Sequence, residues 1–307
     1  MSESNLNEFE QRSASFFRVV KRQQSQAQAQ KKVAIELVQN LATNSPELVT
    51  EISYKASWAV HLDEVRAAQR LRYEIFANEF GANISSNSVA NLNGPNTEIK
   101  NIAEQNIDKD EFDDYCEHLI VKETSTGQVV GTYRVLPPLQ AKRIGRLYSE
   151  SEFDLSPLKY YRKKMVELGR SCVHPDHRSG TVIMTLGSAL FKFMDINRFE
   201  SMVGCASIPM QTLGHKNGHA ASAIWYQLKK NYLAQEQHLV KAYCPLPLEE
   251  DVGDIKIEPP PLIKGYLRMG AKVLGAPAWD KDFNTADLPI MARLADLPER
   301  YRKHFLG

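Results

Sequence analysis

Lys164–Ile196 reads KMVELGRSCVHPDHRSGTVIMTLGSALFKFMDI. Its first part, Lys164 to His174, has the apolar and β-branched content of a strand, and Pro175, which cannot donate to a ladder, stops it. From Arg178 to Ile196 the apolar residues recur at helical spacing, and Gly187, Ser188 and Ala189 are small enough to let that helix lie close on a sheet. A strand, a proline stop and a packed helix are one unit of a mixed α/β domain. Two charges interrupt the strand. Glu167 and Arg170, three residues apart, fall on opposite faces of a regular strand, so contact between them requires a bulge or bend.

Working outward, His118–Glu123 and Gln128–Leu136 read as paired strands with Thr126-Gly127 in the turn. Arg134 lies inside the second, VVGTYRVL, where a guanidinium must project outward or be paired. Glu167 and a run of six carboxylates (Asp108, Asp110, Glu111, Asp113, Asp114, Glu117) are the partners within reach. That run is a solvated loop or a device for holding a cation. Further upstream a strand is expected within Leu48–His61 and an amphipathic helix over Leu62–Phe80, with Asp63 in its first turn. Residues 81–105, rich in Asn and Ser, read as a long loop or insertion. Arg143–Asp154 reads as irregular. Downstream, strands are expected at Met202–Ile208, Leu239–Cys244 and Leu288–Leu294, and helices at Ser222–Tyr232 and Leu262–Leu274. The last is an internal packing helix or, through Lys264, Arg268 and Lys272, a basic face for lipid or a carrier.

The chain divides into a basic polar extension, residues 1–32, and one enlarged domain, 33–307, which opens with a helix over Val33–Leu41 and carries an elaboration at 245–307. Across 307 residues, 38 basic and 37 acidic side chains leave a net charge of +1, so bulk attraction to nucleic acid is not expected. Cys116, Cys172, Cys205 and Cys244 are dispersed, as in reduced cytosolic proteins. No stretch approaches a spanning helix, and the expected location is the cytoplasm, with the basic tracts as the points of contact for the inner membrane face. Glycine-rich nucleotide loops and a GxSxG elbow are absent. Cys172, His174 and His177 suggest zinc, but a fourth ligand at motif spacing is missing, and His215 and His219 would have to converge from afar. No metal is expected. Cys172 or Cys205 as a nucleophile is the other chemical alternative.

Several ordered segments carry a resemblance: Arg70–Phe76 (RLRYEIF), Asp110–Asp113 (DEFD), Gly131–Leu136 (GTYRVL), Tyr148–Leu155 (YSESEFDL), Glu167–Arg178 (ELGRSCVHPDHR) and Gly204–Ile208 (GCASI). With Pro260–Lys272 (PPLIKGYLRMGAK), Pro277–Asp280 and Asp282–Asp287 they resemble the ornithine lipid type of bacterial N-acyltransferase, sometimes labelled hemolysin-like. The acyl-homoserine lactone synthases are related, and both groups have the GCN5-related N-acyltransferase fold.

The resemblance implies an α/β (mixed α+β) fold whose splayed mixed sheet, flanked by helices, admits an acyl thioester. It implies transfer of a long-chain (3-hydroxy)acyl group to the α-amine of an amino acid, L-ornithine foremost, giving a lyso-ornithine lipid. No tightly bound cofactor is implied. The donor is a phosphopantetheine thioester on acyl carrier protein rather than coenzyme A, because Thr181 and Ile183 stand where pyrophosphate-binding relatives have small residues after Arg178. Arg72 and Phe76 fall at the mouth, Asp110 and Asp113 order the acceptor side, and Arg134 braces them. Glu167 is the implied base or water-positioning group, and Arg170 organises the same centre. Amides near Cys172, Val173 and His174, with Arg178 beside them, form the thioester and oxyanion region, leaving Cys172 and Cys205 as spectators. Glycine or another amine as acceptor, a lactone synthase using S-adenosylmethionine, and a non-catalytic acyl-chain or protein binder are the alternatives.

Overall fold

The computed structural model describes residues 52–84, 106–212, 217–249, 252 and 256–306. The 1–32 extension, the helix expected over Val33–Leu41, most of the Asn-rich segment and His215 lie outside the described residues.

Strand β1 (Tyr54–Trp58) leads to helix α1 (Leu62–Tyr73), whose Glu64 carboxylate accepts from the backbone of Val60 and His61 and so caps its first turn. The helix runs on as a π-helical turn, Glu74–Glu79, filling the span expected to reach Phe80. Then come β2 (Glu117–Glu123), β3 (Val129–Leu136), α2 (Pro138–Ile144), β4 (Phe153–Asp154) and β5 (Met165–Val173). The second half comprises α3 (Thr181–Ile196), β6 (Ser201–Pro209), α4 (His219–Tyr232), β7 (Lys241–Ala242), α5 (Pro261–Arg268), β8 (Lys272–Val273), β9 (Ala278–Asp280), β10 (Thr285–Arg293) and α6 (Glu299–Leu306).

Eight strands form one sheet in the order β1-β2-β3-β5-β6-β10-β8, with β9 also on β10. Among the described strands only β5 and β6 pair in parallel, and their ladder covers three rungs, Met165–Glu167 against Ser201–Val203. Beyond it the two strands part. At the throat, a Cβ on Gly204 would lie 2.3 Å from the Leu168 carbonyl oxygen, so only glycine lets the strands touch there before they diverge.

One face of the sheet packs on α3 and α6 through Leu119, Tyr133, Val135 and Val166 against Val182, Leu186, Leu190 and Phe305. Gly131 lets α3 lie flat, because a Cβ there would meet Val182 at 2.5 Å. Helices α4 and α5 cover Ala206, Ile208, Leu288 and Ile290 with Ile224, Leu228, Ile263 and Leu267. Helix α1 packs Ala68, Leu71 and Ile75 against Ile120, Val129 and Cys172.

Three expectations change. The strand expected at Leu239–Cys244 is the two-residue β7, which pairs with β4 in a separate ribbon. The helix expected to reach Leu274 ends at Arg268, since Gly270 has φ +89° and β8 follows. It buries Ile263 and Leu267, which is the packing role. Strand β10 begins three residues before Leu288, and α2, β9 and α6 were not foreseen.

Candidate active site

The acidic run folds into a 3-10 turn, Glu111–Asp114, capped by its own carboxylates: Asp110 Oδ1 accepts from Phe112 N at 2.9 Å and Asp113 Oδ2 from Asp110 N at 3.1 Å. Three arginines from three elements converge on it. Arg72 of α1 places Nε 2.9 Å from Asp108 Oδ2 and Nη2 2.8 Å from Asp113 Oδ1. Arg134 of β3 places Nη1 2.6 Å from Asp110 Oδ1 and 2.9 Å from Asp113 Oδ2. Arg170 of β5 closes the set, with Nε 3.2 Å from Asp108 Oδ2 (an ion pair lacking hydrogen-bond alignment) and Nη2 3.3 Å from Asp110 Oδ2. Gln69 Nε2 donates to Asp113 Oδ1 at 3.0 Å. Three cations thus face three anions, which is how such charges survive out of water. Arg72, Arg134, Asp108 and Asp113 are buried, and Arg170 and Asp110 lie at the lattice's half-buried edge. Burial pushes the Asp113 carboxyl up, but the Arg72 and Arg134 charges prevail and hold it far below the usual carboxylate range.

Arg170 reaches this lattice through a defect. The β3–β5 register passes from Thr132↔Cys172 to Arg134↔Gly169, leaving Arg170 and Ser171 opposite Tyr133 alone, and Arg170 has φ +47°. The bulge that an Arg170–Glu167 contact required is therefore present, but the contact is not. Arg170 turns to the aspartates, with its guanidinium 4.9 Å from the Tyr148 ring and 4.6 Å from the Phe283 ring. Phe76 stands edge-on to Phe283 at 5.8 Å.

Glu167 shares a face with Arg134, because Leu136 opposes Glu167 and Arg134 opposes Gly169 in the ladder. It is not a hydrogen-bond partner of Arg134. Its carboxylate accepts from Tyr148 N at 2.6 Å, Ser149 N at 2.8 Å and Ser149 Oγ at 2.7 Å, and the residue is 4% exposed. Burial raises its pKa against the pull of those donors. Glu167 thereby clamps the Tyr148–Ser149 turn, and both its oxygens are engaged.

The expected oxyanion region is only partly brought to the opening. Cys172 is buried under α1, where burial pushes its thiol up to about 12. The His174 amide donates to the Val130 carbonyl at 2.8 Å and is spent on the ladder. The alternation of an antiparallel ladder turns the Val173 N–H the other way, toward the side that β6 has left. Arg178 grips Glu79 with both Nη atoms, at 2.7 and 2.6 Å, and donates from Nε to Val173 O at 3.0 Å. It ties the end of α1 to β5.

Sequence reading missed a second set of groups. Beyond Gly204 an apolar chamber fills the gap between β5 and β6, lined by Leu168, Leu186, Leu190, Met202, Tyr266 and Met269 and reaching Cys205. The Tyr133 and Tyr266 hydroxyls bond to each other within its wall. On the face that Cys205 shares with Glu167 lie Glu152, just before β4, and Asp287 of β10. Their carboxylate oxygens and Cys205 Sγ lie within 4.8 Å of one another, close enough to share a cation. Both Glu152 oxygens are buried and lack a hydrogen-bond partner. Asp287 is 5% exposed and accepts from Thr285 Oγ1 at 2.7 Å. Burial first, then the neighbouring Asp287 and Asp280 charges, drive the Glu152 pKa well upward; burial and Asp280 raise that of Asp287. The signal available in the sequence was an acid inside a strand-like apolar run, DLPIM, and the second glutamate of YSESEFDL.

A family model described as an acetyltransferase (GNAT) domain matches residues 71–188. The L-ornithine N(alpha)-acyltransferase of Rhodobacter capsulatus is 30% identical over 266 residues, covering 83% of this chain and 95% of that one. The chain belongs to this family. It is an N-acyltransferase with the GCN5-related fold. The L-ornithine N(alpha)-acyltransferase of Agrobacterium fabrum is 31% identical over 260 residues, covering 80% of this chain and 82% of that one. Among solved structures, a CoA-dependent acyl-homoserine lactone synthase crystallised with SAM and isopentyl-CoA aligns at 15% identity over 83% of this chain and 88% of that one, with a TM-score of 0.44. In this acyltransferase the arginine–aspartate lattice, Glu152 and Glu167 lie within the matched 71–188 segment, while Cys205, Phe283 and Asp287 lie beyond it.

Proposed function

We propose that this enzyme transfers a long-chain acyl group from a phosphopantetheine thioester on acyl carrier protein to the α-amine of L-ornithine, giving a lyso-ornithine lipid. The observation that carries the reading is the chamber between β5 and β6. It is apolar along α3 and α5 and reaches Cys205, whose Sγ lies within 4.8 Å of the Glu152 and Asp287 carboxylate oxygens. An acyl chain suits the first part and a cationic amino acid the second, with the thioester carbonyl between them in the gap. The relatives' name supplies ornithine.

On this reading the residues take the following roles. The Val173 amide, turned toward the gap, stabilises the oxyanion. Arg170, held at its bulge between two aromatic rings, receives the acceptor's α-carboxylate. Arg72, Arg134, Asp110 and Asp113 hold Arg170 and the mouth in place, with Phe76 walling it through Phe283. Glu167 orders the Tyr148–Ser149 turn from below. The first turn of α3, entered through Gly180 at φ +93°, offers amides for the single phosphate of the pantetheine arm. Thr181 and Ile183 at that turn favour this arm over coenzyme A's pyrophosphate. Among the described residues no helix is long and apolar enough to cross a membrane. The basic tracts at Arg12–Lys32 and Lys264–Lys272 are assigned to an acidic carrier or an anionic lipid surface.

Incubation of the full chain with long-chain acyl carrier protein, or acyl coenzyme A, and a panel of amines tests this directly. Mass spectrometry is expected to show N-acylornithine formed preferentially from the carrier donor. Acylation of glycine but not ornithine would refute the acceptor, and equal use of coenzyme A would refute the donor.

A further inference from the structure

We propose that the Glu152–Asp287 carboxylate pair is the base of the reaction, taking the proton from the acceptor's ammonium group. The inference rests on the reading that this site acylates an amine, and it replaces the role expected of Glu167.

The two candidate bases differ in what holds them. Glu167 accepts three hydrogen bonds from Tyr148 and Ser149, which stabilise its charge and leave neither oxygen free. Glu152 has two buried oxygens that no N–H or hydroxyl reaches, the weakly donating Cys205 thiol being its neighbour, an arrangement that is costly unless a cation or a proton arrives. Its position is the second argument. Cys205 lines the apolar chamber, and its Sγ lies within 4.8 Å of both Glu152 and Asp287 oxygens. A nitrogen attacking a thioester carbonyl in the gap approaches on the face that Cys205 and this pair share.

The surroundings favour an incoming cation. Asp280 of β9, Asp287 of β10, Cys205 of β6 and Arg170 of β5 act electrostatically on Glu152, which in turn acts on Tyr148. Arg170, the cation among these groups, is already engaged by Asp108 and Asp110. Burial, with the Asp287 and Asp280 charges on Glu152 and the Asp280 charge on Asp287, raises both carboxyls above the ordinary carboxylate range, Asp287 to about 6 and Glu152 to about 9. The pair thus straddles neutral pH and can both take and release a proton there.

The steps balance. The ammonium passes one proton to the pair, which releases it to water. The free amine attacks the thioester carbon, forming a C–N bond. The tetrahedral adduct loses its second nitrogen proton to the pair as the C–S bond breaks, and the departing sulfur takes that proton back. The net products are the amide, the free thiol and one released proton.

The test measures kcat against pH for the full-length wild type, Glu152→Gln and Asp287→Asn, using the carrier thioester and ornithine, with melting curves for each. The wild type is expected to show an acidic limb above the ordinary carboxylate range. Glu152→Gln is expected to be folded and slower by roughly 100-fold at pH 7, with the deficit shrinking as pH rises and the amine deprotonates unaided. Asp287→Asn should move the limb. A folded Glu152→Gln enzyme with wild-type kcat overturns the proposal, as does a deficit that stays constant with pH, the mark of a structural role. If Glu152→Gln does not fold, a wild-type kcat flat from about pH 5 to 9, or an Asp287→Asn profile unmoved from wild type, overturns it instead. Absence of N-acylornithine with the wild type would refute the function itself, whatever the variants do.

Discussion

Replacing Arg134 by alanine removes the cation that bridges two aspartates from a site where the side chain is 3% exposed. Asp113 retains Arg72 and Asp110 retains Arg170, but the lattice passes from neutral to one excess buried negative charge. Breaking a buried pair by deleting one partner costs about 3–5 kcal/mol. At about 2–4 °C per kcal/mol for a domain of this size, the melting temperature should drop by on the order of 10 °C. The pH dependence has a definite sign. Asp113 titrates far below its unfolded value, so its contribution is present above that value and fades as the pH falls. Without Arg134 part of that depression is lost, less stability depends on Asp113 ionisation, and the deficit relative to wild type should narrow on acidification. Thermal melts at pH 7 and at about pH 2.5, below the unfolded value of 3.8 where Asp113 linkage acts, test both statements. An Arg134→Ala protein melting within a degree or two of wild type at pH 7 would refute the lattice as a source of stability.

Other substitutions separate the remaining roles. Glu167→Gln places an amide donor against the Tyr148 and Ser149 donors, so the melting temperature should fall, by about 1–3 kcal/mol of stability, along with turnover. Unchanged melting would show that the clamp is dispensable. Leu190→Trp adds volume inside the chamber and is expected to shift donor preference toward shorter chains, read by competition between carriers of different acyl length. Cys172→Ala should retain transfer to within about tenfold, since direct attack passes through no acyl-enzyme; complete loss in a folded protein would point to thiol chemistry.

The sequence made the skeleton legible because strand, stop and helix alternate with clear periods through Lys164–Ile196, and β2, β3 and β6 differ from expectation by a residue or two. The lone Arg134 in an apolar strand pointed to buried partners, and two of the acids named for it, Asp110 and Asp113, are the ones it holds, while Glu167 pairs elsewhere. The pairing of Glu167 was not legible. It depends on a bulge that turns Arg170 away and on backbone donors at 148 and 149, and neither leaves a side-chain pattern. Glu152 and Asp287 lie 135 residues apart and meet only because β10 returns to pair with β6. The strand expected at Leu239–Cys244 was read too long, since only Lys241 and Ala242 of that run pair in a ladder, as β7.

Three rungs join β5 to β6 before the strands separate, and past that point the peptide groups lining the breach have no neighbouring strand to satisfy them. Much of the polarity offered to a thioester therefore belongs to the main chain, beyond the reach of any alanine scan. What keeps those groups aimed is the contour of one strand, fixed by a left-handed arginine and by a glycine that admits a carbonyl at the seam. Side chains along that edge can drift without blunting the chemistry, whereas a single methyl group added at Gly204 would close or displace the doorway.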